Sequence, residues 1–102
     1  MIITLTSFTL PKPITLAEAR AIFMSTAPKY QSVKGLIRKN YIFADDGVTV
    51  GGVYLWDSRR DAEAMYTEEW RAFVRGKYGT DPVVTYFECP VVVDNITSEI
   101  IA

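Results

Sequence analysis

Seven aromatic side chains carry the chemical interest of this sequence: Tyr41, Tyr54, Trp56, Tyr66, Trp70, Tyr86 and Phe87. All but Phe87 bring a hydroxyl or an indole N–H along with an apolar ring, so each can pack at one end and hydrogen-bond at the other. They fall on segments that should bound a cavity between a sheet and its helices or the sheet's opposite face. Arg38, Asn40 and Glu88 lie in neighbouring strands. Together these residues would form a mostly apolar wall with a few polar groups, the make-up of a small-molecule site. Taken singly, each ring reads more readily as ordinary core.

Other chemistries are excluded by what is missing. The chain has no histidine. It therefore cannot build a Ser-His or Cys-His nucleophile pair, an imidazole base, a zinc site with nitrogen ligands or a histidine-ligated haem. The lone Cys89 can form neither an internal disulfide nor a Cys-x-x-Cys site; beside Pro90 in an apolar strand it reads as a buried small hydrophobe. Asp45-Asp46-Gly47 is turn chemistry rather than a carboxylate pair. Gly51-Gly52 lies inside a strand, not between a strand and a helix, so it is no dinucleotide fingerprint.

At 102 residues, 49% of them apolar, the chain is expected to form a single domain over residues 1–102. A net charge of −1 gives no general attraction to nucleic acid or anionic lipid. No apolar run reaches the roughly 18 residues of a membrane span. The N-terminal run Met1-Ile2-Ile3 has no basic lead, and the expectation is a cytoplasmic protein. Lys29, Lys34, Arg38 and Lys39 form a local basic cluster, read as a solvated rim or a dimer contact.

The elements that must position these residues follow from pattern. Ile2 to Leu10 reads as a strand stopped by Pro11 and Pro13. Thr15 and Glu18 form a capping box for a helix with Leu16, Ala19, Ile22, Phe23 and Ala27 inward, ending near Pro28. Gly35–Ala44 and Val48–Trp56 read as antiparallel strands joined by a type I′ turn at Asp46-Gly47. That register sets Phe43 opposite Val50 and Tyr41 opposite Gly52, with Ile37, Lys39, Tyr41, Val50, Tyr54 and Trp56 on one face and Leu36, Arg38, Asn40, Val53 and Leu55 on the other. A helix from Arg59 restarts at Thr67-Glu68-Glu69 with Trp70, Phe73 and Val74 inward and Gly79 as its stop. Val83 to Val93 is the last strand, bent at Pro90. The order βαββαβ predicts an α+β, ferredoxin-like fold: a four-stranded antiparallel sheet with helices on one face.

The same order occurs in RNA-recognition domains, but the third strand here lacks their basic-Gly-aromatic signature. Both parities of Val48–Trp56 and Val83–Phe87 are largely apolar, whereas a wetted face would alternate. The uncovered sheet face is therefore expected to pack on a second copy, giving a homodimer.

Several blocks in order carry a family resemblance: Thr26-Ala27-Pro28-Lys29-Tyr30, Gly35-Leu36-Ile37-Arg38-Lys39, Gly51-Gly52-Val53-Tyr54-Leu55-Trp56, Glu69-Trp70-Arg71, Tyr78-Gly79 and Pro90–Asn95. Over about Leu5 to Asn95 the chain resembles the YdhR-like monooxygenase family of the dimeric α+β barrel superfamily. The resemblance implies a dimeric barrel and oxidation of a small phenolic substrate with O₂, without metal, flavin or other cofactor. Tyr54 and Trp56 would pack the substrate ring, with Tyr66, Trp70 and Tyr86 completing its site. Arg38 and Asn40 would be the catalytic candidates, Arg38 for phenolate or superoxide charge and Asn40 for a hydrogen bond. Phenol-oxidising relatives place an asparagine near the third-strand tryptophan, where this chain has Gly51 or Gly52; Asn40 would be its substitute. Histidine-dependent haem, lyase and cyclase branches of the superfamily are excluded by composition.

Overall fold

In the computed structural model, which describes residues 1–102, strand β1 (Ile2–Thr9) buries every second side chain: Ile2, Thr4, Thr6 and Phe8. That alternation marks a central strand with one face against a core and one less covered. β1 pairs antiparallel with β3 (Thr49–Trp56) on one side and β4 (Val83–Glu88) on the other, and β2 (Leu36–Phe43) closes the far edge beyond β3. The order β2-β3-β1-β4 is the expected ferredoxin-like α+β sheet. Helices α1 (Leu16–Tyr30), α2 (Arg59–Met65) and α3 (Glu68–Tyr78) supply the other layer. None of them is long and apolar enough to cross a membrane.

Helix signals in the sequence operate as expected. Thr15 and Glu18 close a reciprocal capping box, Thr67 caps α3 by accepting from Trp70 N–H, and Gly79 ends α3 in the left-handed region. Glu68 and Glu69 in the first turn of α3, with Arg75 and Lys77 in its last, match the helix dipole. The inward face of α1 differs from expectation. Ala19, Thr26 and Tyr30 are buried while Leu16 is 68% exposed. Pro28 lies inside the helix, which runs on to Tyr30, and Gln31 N–H turns back to the Pro28 carbonyl.

Three further expectations are corrected. The β2–β3 register is as predicted, Phe43 facing Val50 and Tyr41 facing Gly52. Its turn is not type I′, because only Gly47 has positive φ. The Asp46 carboxylate instead accepts from Val48 N–H, Thr49 N–H and Thr49 Oγ1, holding an Asx-type turn. An irregularity between Leu36 and Arg38 makes Ile37 the extra residue, so Leu36 joins the core and Ile37 is 47% exposed, reversing their expected faces. After Pro90 the chain leaves the main sheet: β5 (Val92–Asp94) and β6 (Glu99–Ile101) form a separate hairpin, and Cys89 is half-buried.

The face away from the helices carries Ile3, Leu5, Ile42, Val53, Leu55, Val83 and Phe87 on the four strands, with Arg38 and Asn40 near the β2 edge. It is an apolar surface on one side of the molecule.

Gly51 sets the β1–β3 contact. A Cβ there would overlap the Thr6 carbonyl oxygen, whereas at Gly76, exposed on α3, it would meet nothing. Gly51→Ala should cost on the order of 3 kcal/mol through overpacking. Gly76→Ala should add about 0.5–1 kcal/mol through helix propensity. Urea unfolding of the two variants measures both signs.

Candidate functional site

The layer between sheet and helices is built from rings, and each ring brings a polar atom that needs a partner once buried. Trp56, fully buried at the end of β3, donates its indole N–H to Thr4 Oγ1 at 2.9 Å. The same hydroxyl meets Tyr66 OH at 2.6 Å. Thr4 thus ties β1 to β3 and to the residue that ends α2. On the other side, Trp70 Nε1 donates to Tyr30 OH at 3.1 Å, joining α3 to α1. Thr26 Oγ1 lies 3.1 Å from the Phe23 carbonyl, to which it donates, so at 2.7 Å it accepts from Tyr41 OH.

Ring contacts run through the same set. Tyr54 stacks parallel to Trp56 at 6.0 Å; Tyr66 meets Tyr54, Trp56, Trp70 and Tyr86 edge-on at 5.6, 5.8, 4.8 and 6.2 Å. Edge-to-face pairs at these separations are favourable beyond their burial. The five aromatics expected to bind substrate are therefore one packed cluster. Only Tyr54 and Trp70 among them reach the enclosed cavity, which is also lined by Thr6, Tyr30, Lys39, Tyr41, Phe73 and Tyr78. Its volume is about 20 Å³, room for a water molecule and far short of the roughly 150 Å³ that holds a benzene ring.

Arg38 and Asn40 do not share this cavity. They sit on the outer face with Ile3, Val53, Leu55 and Val91–Val93, in an open groove of about 310 Å³. Arg38 lies 3.9 Å from Asp94. Strand alternation imposes the separation: Lys39, Tyr41 and Phe43 point to the helices, and the residues between them point away. Asn40 consequently does not stand in for an asparagine beside Trp56. Gly52 is the glycine on the inner face, four residues before Trp56. A Cβ there would come within 2.9 Å of Tyr54 Cε1 and 3.2 Å of Lys39 Cε. Its bareness is what lets the Tyr54 ring and the Lys39 stem lie across the strand.

Lys39 is the residue whose environment departs furthest from expectation. Instead of a solvated rim position, its Nζ lies 3.4, 3.8 and 4.8 Å from the ring centroids of Tyr30, Tyr41 and Tyr54. Burial, and secondarily the charge of Lys29, pulls its pKa down from the ordinary lysine value to about 7. Ring faces favour the ammonium and oppose that fall. Lys29 also turns to a ring, 3.5 Å from the Phe73 centroid. The tyrosines shift the other way. Burial raises Tyr30, Tyr41, Tyr54 and Tyr66, so all stay protonated near neutrality and act as donors rather than bases. Tyr78 is pushed up to about 12 by the same cause.

Tyr30 and Tyr78 stand in the sequence only within the blocks of the family resemblance, not among the expected site residues. Their signals are helical spacing: Tyr30 follows Thr26 by four on α1, and Tyr78 follows Val74 by four on α3. Tyr86 lies at the margin of the cluster, with the Arg59 guanidinium 4.4 Å above its ring.

No family model and no curated protein matches the chain. Solved structures do match its fold. One is a monooxygenase from the gene ActVA-Orf6 of Streptomyces coelicolor in complex with nanaomycin D: TM-score 0.67, 16% identity, 86% of each chain covered. Another is SnoaB, a cofactor-independent oxygenase from Streptomyces nogalater: TM-score 0.62, 14% identity, covering 86% of this chain and 91% of that one. A third is Rv0793 from Mycobacterium tuberculosis: TM-score 0.60, 15% identity, 87% and 95% covered. The chain has the ferredoxin-like α+β fold of these three structures. At such identities the likeness concerns fold alone.

Thr4 carries the polar network of this layer. Thr4→Val keeps the shape and strands the Trp56 N–H and the Tyr66 hydroxyl, and should cost about 2–4 kcal/mol. Thr4→Ser retains the oxygen and should cost about half that or less. Thermal unfolding distinguishes the two.

Proposed function

We propose that this protein is a cofactor-independent monooxygenase of the YdhR-like kind, acting as a homodimer on a small electron-rich phenol or anthrone in the sheet–helix layer. The observation that carries the reading is a ring-lined cavity with one cation facing it, in a fold shared with solved oxygenases. The substrate supplies the electrons. Once deprotonated it passes one to O₂ and the radical pair recombines; one oxygen atom stays in the substrate as a carbonyl and the other leaves as water. The protein's tasks are to hold the ring, favour its anion and exclude bulk water.

Residue roles change from the sequence reading. Tyr54 and Trp70 face the substrate ring directly. Trp56, with its N–H committed to Thr4, positions Tyr54 and Tyr66 from behind. The cation facing the substrate is Lys39 rather than Arg38. A ring is admitted only if a wall withdraws. Lys39 is the wall suited to do so, a flexible chain on the edge strand between the cavity and an open depression of about 230 Å³. In a second reading the same dimer binds a small molecule without reaction; the small volume of the closed cavity favours neither of these but a third, in which Tyr54, Trp56 and Trp70 only pack the molecule together.

Oxygen-electrode measurements with a panel of hydroquinones and anthrones test the reaction. Uptake is expected with at least one of them, and Lys39→Gln should lower kcat/KM by about 10²-fold at pH 7. Binding across the panel without uptake would leave the second reading.

For the dimer, the apolar outer face and the exposed residues Val91, Val93, Ile96 and Ile100 of the C-terminal segment supply the contact. Sedimentation at micromolar concentration should give a dimer, and Val53→Asp, which places a charge in the middle of that face, should give a monomer. A wild-type species of 11.5 kDa contradicts the assembly.

A further inference from the structure

Lys39 and Tyr30 are the two residues that border both the enclosed cavity and the open depression at the β2 edge. The amine is thus buried among rings on one side and reachable from solvent on the other. No carboxylate lines either space, and Lys39 takes part in none of the ion pairs of the chain. The titratable groups around it are Lys29 and Tyr30 from α1, Arg38 and Tyr41 from β2, Tyr54 from β3 and Tyr78 from α3. Every one is a cation or a phenol held protonated by burial. A lysine desolvated among apolar groups and next to another cation is the arrangement that turns an ammonium into a nucleophile.

We propose that Lys39 is a Schiff-base site, at which the amine condenses with small uncharged aldehydes that arrive through the depression lined by Ala27, Gln31, Leu36 and Ile37. The neutral Nζ attacks the carbonyl carbon to give a carbinolamine. Loss of the former carbonyl oxygen as water leaves the imine, so the atoms balance without oxidant or reductant. The phenols of Tyr30 and Tyr54 supply O–H donors for the oxygen that leaves, that of Tyr41 being committed to Thr26 Oγ1. The enclosed space has room for about one water molecule, so the rest of the aldehyde lies outward in the depression. Charge restricts the class further: a cationic aldehyde meets Lys29 and Arg38, while the apolar floor of Leu36 and Ile37 suits a short alkyl chain. The site stands independently of the oxygenase reading, since it needs neither O₂ nor a phenol.

The pH behaviour follows from the lowered pKa. With an ordinary lysine near 10.4, only about one amine in several thousand is neutral at pH 7, whereas a group titrating near 7 is about half neutral. Raising the pH toward 10 frees any amine of ordinary lysine basicity, so the advantage of Lys39 must shrink.

Native protein treated with propanal and cyanoborohydride, then mapped by peptide mass spectrometry over time, reads each lysine separately. At pH 7, Lys39 should acquire the propyl group at least about tenfold faster than Lys12, Lys34 and Lys77, and this lead should narrow at pH 9.5. Lys29, itself lowered by burial, is not a reference. In Lys39→Met the fast ε-amine should vanish while the Lys12, Lys34 and Lys77 rates hold. Labelling of Lys39 no faster than these three, or only after unfolding, overturns the proposal. The per-lysine rates in the unmutated protein decide it even if the variant does not fold.

Discussion

A protein layer made of tyrosine and tryptophan rings must find a partner for every hydroxyl and indole N–H it buries, and that constraint organises this molecule. Leaving one such atom unpartnered costs about 1–3 kcal/mol, a large fraction of what holds so small a domain together. Three threonines relieve it: Thr4 for Trp56 and Tyr66, Thr26 for Tyr41, and Thr6 beside Tyr54. They are nearly fully buried, an uncommon fate for threonine, and no buried side-chain nitrogen or oxygen lacks a partner. The rings are thereby fixed in position as well as packed.

The lysine amine at position 39 is the group this scheme does not pair with an oxygen. It is held instead by the faces of three rings, over the space that Gly52 leaves bare. Two opposing effects meet there. Desolvation and Lys29 push the proton off; the ring quadrupoles hold it. Their balance puts an amine at the boundary between a closed cavity and an open one. Both the oxygenase reading and the aldehyde site draw on that single placement, by different chemistry.

Much of this was legible in the sequence where local signals and period agree. The Thr15–Glu18 capping box, the restart at Thr67, the Gly79 stop and the Phe43–Val50 register are consequences of a few residues each, and the structure has them all. Alternation along β2 and β3 also put Lys39 on the same face as Tyr41, Tyr54 and Trp56. What misled was composition: Lys39 sits among Lys29, Lys34 and Arg38, and a cluster of bases reads as solvated. The faces of Leu36 and Ile37 depend on one bulge, which period alone does not reveal. The β5–β6 hairpin has apolar strands too short to separate from a continued β4. The size of the cavity was not legible at all, because it depends on how Tyr30, Tyr41 and Lys39 fill it, a matter of rotamers rather than residue types.

The central claim is that Lys39 holds a desolvated amine of altered basicity against the tyrosine rings, and its own titration tests this most directly. With lysine ¹³Cε labelling and Lys39→Arg used to assign the resonance, an NMR pH titration of the native protein should show Lys39 losing its proton near pH 7. A lysine in water loses its proton at about 10.4. A Lys39 signal that titrates near that ordinary value would contradict the account.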